Sequence, residues 1–321
     1  MVSWLTYQLK TYNEAISAED AGSTGEKITL DESIDTEKVG KLGGYKVHRF
    51  RYSWYNAITQ PLTKPPSDED DQNPNHRNRA LWHQLNKLRF LDVCSGSGNI
   101  ALALAGQFPQ SEVVGVDVDP VALALAKSNA QQCGFENVVF YPCDVFKPQA
   151  TVGTFSISSG NQFDENNPHS LYDIPMLTSL YDIIISNPPY VYPERMSELQ
   201  PEVKDWESPI ALTPAARCYT KEMGIPPDFA KSGKWPREHD IRRLALPFYE
   251  KLVRMSPRLL NHSHHNQTQS SIAFPRIVME IGDDEQAVPI CDMVNELFDA
   301  NIYLDTQEQC RWVVGFERKN W

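Results

Sequence analysis

At 321 residues and 36.5 kDa the chain has room for one large α/β domain with an appendage, or two modest domains. A hydrophobic content of 41% argues against wholesale disorder, collagen or coiled coil, and no run reaches the roughly 18 apolar residues of a membrane span. The net charge of −12 argues against a broad cationic face for nucleic acid, and six cysteines without a C-x-x-C pair point to a reducing compartment, not a disulfide scaffold.

In chain order, residues 1–80 read as an N-terminal helical and loop region ending in a linker. Trp4–Ala18 has the pattern of an amphipathic helix, preceded by no secretory signal, and Ser17–Lys38 that of an acidic loop. Tyr45–Ile58 interleaves Lys46, His48, Arg49 and Arg51 with Tyr52, Trp54 and Tyr55. That pattern suits nucleic acid but reads more simply as a helix with one packed face. Pro61–Arg79, with four prolines and the acidic run Asp68–Asp71, is a linker or surface loop.

From residue 81 onward the chain alternates. Leu88–Val93 is a buried strand, Ile100–Phe108 a helix, Glu112–Val118 a strand, and Pro120–Cys133 a helix with proline in its first turn. Strands follow at Val138–Tyr141, Tyr181–Ser186 and Arg276–Ile281, then a helix over Glu285–Ala300 and a closing hairpin of Ile302–Asp305 with Val313–Glu317. Strands alternating with helices predict a mainly parallel sheet covered on both faces, with ligands beyond the strands' carboxyl ends. Segments 150–171, 219–240 and 261–271 read as insertions of low complexity or high proline content. His262, His264 and His265 in the last of these could ligate a metal, but a polar surface loop is the simpler reading.

Two motifs carry chemistry. In Asp92-Val93-Cys94-Ser95-Gly96-Ser97-Gly98, a strand runs through a glycine turn into a helix. Glycines permit close approach of a ligand and positive φ, and the helix start offers free N–H groups. Asp117 ends the next strand 19 residues after Gly98, where a carboxylate can accept both hydroxyls of a ribose. The pattern fits a dinucleotide, whose pyrophosphate would sit on the helix N-terminus, and S-adenosylmethionine, whose ammonium group Asp92 would suit. Cys94 reads as packing against the ligand, and Asp144 after the third strand could accept from the exocyclic amine of an adenine, or be a solvent-facing loop carboxylate.

The second motif is Asn187-Pro188-Pro189-Tyr190, directly after a buried strand. Two prolines fix φ and remove two N–H donors, which leaves a rigid corner of acceptors, and Pro188 biases Asn187 away from the α region. Such a corner suits a planar –NH₂: two acceptors grip its hydrogens and orient the nitrogen towards an activated methyl, with Tyr190 as a flat face. Positioning of this kind can supply about 7–11 kcal/mol.

Together these residues resemble the HemK/PrmC family of protein-glutamine N-methyltransferases, which modify peptide chain release factors. Pro201-Glu202-Val203, Glu207-Ser208-Pro209-Ile210-Ala211-Leu212 and Val278-Met279-Glu280-Ile281-Gly282 extend the likeness from about Phe90 to Glu317. The resemblance implies a class I methyltransferase fold, α/β and Rossmann-like, with a seven-stranded, mainly parallel sheet, formed by residues 81–321. It implies S-adenosylmethionine held by Asp92, Cys94, Ser95, Gly96, Ser97, Gly98, Asp117, Asp144, Val145 and Asn187. It also implies a glutamine amide in the G-G-Q loop of a release factor, bound by Asn187, Pro188, Pro189 and Tyr190, with Asn187, Pro188 and Tyr190 catalytic. No metal is expected. The family's N-terminal domain and its I-P-R-x-E-T-E-like segment are not found, so the chain is expected to be shortened there.

Lineage-type insertions point to a eukaryotic, mitochondrial protein, or else a cytoplasmic one. The chain is expected to be monomeric, away from membranes, and near nucleic acid only through a ribosome-associated substrate. Two other readings stay open: an adenine-N6 DNA or RNA methyltransferase, and a cofactor-binding module without turnover.

Overall fold

A computed structural model of the chain describes residues 36–50, 87–147, 180–214, 246–261, 275–305 and 307–318. Nine strands form one sheet: β1 (Thr36–Leu42), β2 (Tyr45–Phe50), β3 (Arg89–Val93), β4 (Glu112–Asp117), β5 (Val138–Pro142), β6 (Ile183–Ser186), β7 (Pro275–Glu280), β8 (Asp299–Leu304) and β9 (Cys310–Phe316). Their spatial order is β1-β2-β8-β9-β7-β6-β3-β4-β5. The last seven in that order are the sheet the sequence predicts, and β3, β4, β5, β6 and β7 run parallel to their neighbours among themselves. β9 enters antiparallel between β7 and β8.

Each face is covered for a reason visible in the strands. Phe90, Val113, Ile183 and Ile185 pack under α1 (Asn99–Gln107) and α2 (Pro120–Cys133). The alternate positions Leu91, Val93, Val114 and Ile184 pack under α3 (Pro247–Leu259) and α4 (Asp284–Val294). With both sides buried, the strands read as continuous apolar runs. The α3 helix is not among the elements predicted above, although Phe248, Tyr249, Leu252, Val253 and Leu259 recur on one buried stripe at helical spacing.

Three expectations change. The helix expected over Tyr45–Ile58 is strand from Tyr45 to Phe50, and 51–58 lies outside the described residues. Gly43 (φ 56°) and Gly44 (φ 94°) form a two-residue hairpin turn, and β2 then pairs parallel with β8, which takes the sheet from seven strands to nine. The hairpin is docked: a Cβ on Gly43 would lie 2.6 Å from Val288, and the Tyr45 hydroxyl donates to Asp292 at 2.6 Å. Arg49 pairs with Glu308 and His48 stacks on Tyr303, so these two members of the basic–aromatic cluster serve the sheet.

The helix expected to reach Ala300 ends at Val294, because Asp299 and Ala300 pair with Phe316 and Gly315 of β9. The helix expected over Trp4–Ala18, the three insertions (Asn261 apart) and the histidine run lie outside the described residues. Among those residues no helix is long and apolar enough to cross a membrane, and no group of His, Cys, Asp and Glu could hold a metal.

Candidate active site

The chain builds β3, β4 and β5 on one side, then returns to place β6 on the other side of β3. Loops leaving the strands on either side of that switch point diverge and leave a crevice. A cavity of about 470 Å³ lies there. Its walls include Cys94, Gly96, Ser97, Asp117, Asp144, Val145, Asn187 and Pro189, which brings both motifs to one site.

The glycine loop is shaped from beneath. Cys94 (φ 64°), Gly96 (φ 55°) and Gly98 (φ 85°) all take left-handed backbone. A Cβ on Gly98 would lie 2.9 Å from Phe140, whereas one on Gly96 would meet nothing within 4 Å. Gly98 therefore serves packing, and Gly96 leaves open space at the wall. Asp92 is fully buried and does not line the cavity. Its Oδ2 accepts from Ser95 Oγ (2.8 Å) and Ala101 N (3.1 Å), while Oδ1 has no hydrogen-bond partner. Burial pushes this carboxyl up to about 7, against the downward pull of those two hydrogen bonds. Asp92 and Ser95, expected at the ligand, thus organise the loop below it.

Asp117 is fixed by backbone donors, Gly96 N to Oδ2 at 2.8 Å, Asp119 N to Oδ1 at 2.9 Å, and Val118 as well. A carboxylate has about four acceptor sites, so capacity for a further donor remains. Asp144 accepts from Phe146 N at 3.0 Å and turns the chain after β5. Burial first, and then the carboxylates of Asp117 and Asp92, hold the Cys94 thiol well above its ordinary range, which removes it as a nucleophile.

The corner follows β6, whose Ser186 hydroxyl donates to Val93 O at 2.8 Å and so ties the two motifs' strands at their ends. Asn187 is exposed on the cavity wall and Pro189 half-buried beside it, while Pro188 is buried and off the wall. Tyr190 is also off the wall. Its ring packs on Gly282, where a Cβ would lie 2.9 Å from Cδ2, and its hydroxyl is 3.5 Å from Glu280 Oε1.

Several wall residues carry no role in the sequence reading: Asp119, Val121 and Leu125 of the α2 entry, Phe248, and the segment from Trp206 to Pro214. The helix signals of that last segment were legible: Pro201 and Pro209 each open a single helical turn (Pro201–Lys204 and Pro209–Leu212), the position proline favours. The described wall holds four carboxylates, Asp117, Asp119, Asp144 and Glu207, and no lysine or arginine.

A family model described as a methyltransferase domain matches residues 85–218. Over 159 residues the chain is 32% identical to the release factor glutamine methyltransferase of Geobacter sulfurreducens, an alignment covering 49% of this chain and 46% of that one. Over 122 residues it is 32% identical to the human MTRF1L release factor glutamine methyltransferase, covering 38% of this chain and 30% of that one. The chain thus spans less than half the length of these curated relatives. They carry the name of the family that the motifs resemble, and the matched residues 85–218 include the glycine loop, Asp117, Asp144 and the Asn187–Tyr190 corner.

Proposed function

We propose that this chain transfers a methyl group from S-adenosylmethionine to the side-chain amide nitrogen of a glutamine in a peptide chain release factor, in its G-G-Q loop. The observation that carries the reading is the convergence of an acceptor corner, Asn187-Pro188-Pro189, with a carboxylate-lined cavity at the ends of adjacent strands. Four carboxylates and, among the described residues, no lysine or arginine suit a sulfonium and an ammonium group, and disfavour the pyrophosphate of a dinucleotide. The remaining wall, with Val116, Val118, Val145, Phe146 and Phe248, suits a flat apolar ring.

The residues fit that cofactor. Asp117 would take the ribose hydroxyls with its spare lone pairs, Gly96 and Ser97 would admit the ligand close to the backbone, and Asp144 and Val145 would flank the adenine. Its sulfonium supplies a methyl already activated for transfer. Asn187 Oδ1 and the Pro188 carbonyl accept the two amide N–H groups and set the nitrogen's orientation. Held so, the amide nitrogen would take the methyl as its bond to sulfur breaks, and the surplus amide proton would leave to water. No strong base is required, because positioning carries the acceleration. Tyr190 backs the corner from its Gly282 side.

The similarity to release factor glutamine methyltransferases supports the choice of a protein amide over a nucleobase. The further expectations, a monomer acting in mitochondria or the cytoplasm, rest on the likeness to eukaryotic members alone. The deciding experiment is mass spectrometry of candidate release factors after incubation with the chain and labelled S-adenosylmethionine. Label on the G-G-Q glutamine is the expected result. Label on an adenine-containing oligonucleotide, or cofactor binding without transfer to any release factor, would overturn the reading.

A further inference from the structure

The corner cannot brace itself. Pro188 and Pro189 have no N–H, so two consecutive positions that could anchor the turn to its surroundings are missing. The structure supplies the anchors from outside. Val191 N donates to Leu212 O at 2.8 Å, and the Tyr190 carbonyl accepts from Gln286 Nε2 at 2.9 Å.

Gln286 lies in the first turn of α4 and is 1% exposed. Its Oε1 accepts from Gly282 N at 2.7 Å, and its side chain also hydrogen-bonds Tyr192. The amide is therefore orientated without ambiguity: Oε1 must face an N–H, and Nε2 must face a carbonyl. One buried side chain, 96 residues along the chain from Tyr190, joins the residues after the two prolines to the Glu280–Gly282 turn. That turn is held in its own right, since Tyr249 Oη donates to Glu280 O at 2.8 Å and Ile281 N to Arg311 O at 2.9 Å.

We propose that Gln286 is a positioning residue for methyl transfer: by fixing the Tyr190 peptide plane it sets the direction in which Asn187 and Pro188 present their acceptors. The inference rests on the functional reading above. Gln286 touches neither substrate nor cofactor, and acts only through the corner. Loss of the Nε2 donor leaves a buried carbonyl without a partner and lets the corner rotate. Displacements of about 1 Å in a reacting group can cost on the order of 100-fold in rate.

The test compares the full chain with Gln286→Glu and Gln286→Met. Both variants keep the side chain's length, and the first keeps an acceptor for Gly282 N. Four quantities are read between pH 6 and 9: kcat and KM for the release factor, the cofactor dissociation constant by calorimetry, and amide exchange at Val191 and Tyr192. The expected result is a kcat roughly 10–100-fold below wild type at pH 8.5, with cofactor affinity within about threefold. For Gln286→Glu, the ratio to wild type recovers as pH falls, because the protonated carboxyl again donates to the Tyr190 carbonyl. For Gln286→Met it does not recover, and exchange at Val191 quickens.

A Met variant with kcat within about twofold of wild type, or with cofactor affinity lost in step with kcat, overturns the proposal. So does a Glu variant whose deficit ignores pH. Should the wild type methylate no release factor, it is the substrate reading that fails. The exchange data then decide the bracket alone: unchanged protection at Val191 and Tyr192 in the Met variant overturns it.

Discussion

The loop Cys94–Gly98 and the corner Asn187–Tyr190 leave adjacent strands at the same level of the sheet, with Val93 opposite Ser186. They are stiffened by opposite means. The loop uses left-handed backbone at three positions and is fastened inward, by the Ser95 hydroxyl onto the buried Asp92 and by Gly96 N onto the half-buried Asp117. The corner discards N–H groups and offers acceptors, and its bracing comes from Leu212 and, 96 residues from Tyr190, from Gln286. A loop that must wrap a ligand is fastened through its own donors to carboxylates at the ends of its own and the next strand. A corner that must keep its acceptors free is fastened from behind. The difference matters for mutation, because the two regions should fail separately.

The largest expected effect separates them most clearly. Asn187→Ala should lower methyl transfer by at least about 100-fold through lost orientation, while cofactor affinity in calorimetry stays within severalfold. Equal loss of both would mean that Asn187 belongs to the cofactor wall instead. Next is Gly98→Ala. Positive φ and the crowding of Phe140 and Ala126 against a new Cβ should together cost about 2–5 kcal/mol in urea unfolding, with cofactor affinity falling too. Amide exchange at Val191 should change little, and a matching loss of protection there would show that loop and corner form one unit.

The third prediction concerns pH. The folded-state value of Asp92 lies above its ordinary one, so the native state holds the proton more tightly than the unfolded chain. The stability this contributes is full below about pH 4 and is lost as pH rises through about 7. Asn at this position cannot ionise and keeps an acceptor for Ser95 and Ala101. The stability difference between Asp92→Asn and wild type should therefore shift in the variant's favour by about 2–4 kcal/mol from pH 4 to pH 8. A difference that is flat with pH in urea titrations would refute the buried, proton-linked role.

The strongest signals in the sequence were local ones. A proline at N1 with Asp119 before it and Gly134 after it bounds α2 at Pro120–Cys133, as read, because caps are made by adjacent residues. Asn187-Pro188-Pro189-Tyr190 was legible because proline constrains its own backbone in any context. Asp92 shows the limit of that reading. A carboxylate at a strand end looks exposed to a ligand, and only the fold shows it buried under the loop and bonded to Ser95 and Ala101. Tyr45–Phe50 misled for a related reason: a short mixed segment becomes strand by pairing with β8, roughly 250 residues away.

By itself, then, the sequence determined the parallel α/β order, the positions of the glycine loop and the proline corner, and the kind of group each can hold. These follow from backbone chemistry and periodicity, which are properties of neighbouring residues. Only the tertiary structure decided that the sheet gains a hairpin at one edge, that the described cavity wall carries four carboxylates and no lysine or arginine, that Tyr190 stands behind the corner, and that Gln286 ties that corner to the turn after β7. Those outcomes depend on which distant segments share a buried space, where an unpaired polar group is costly and each partner must be found across the fold.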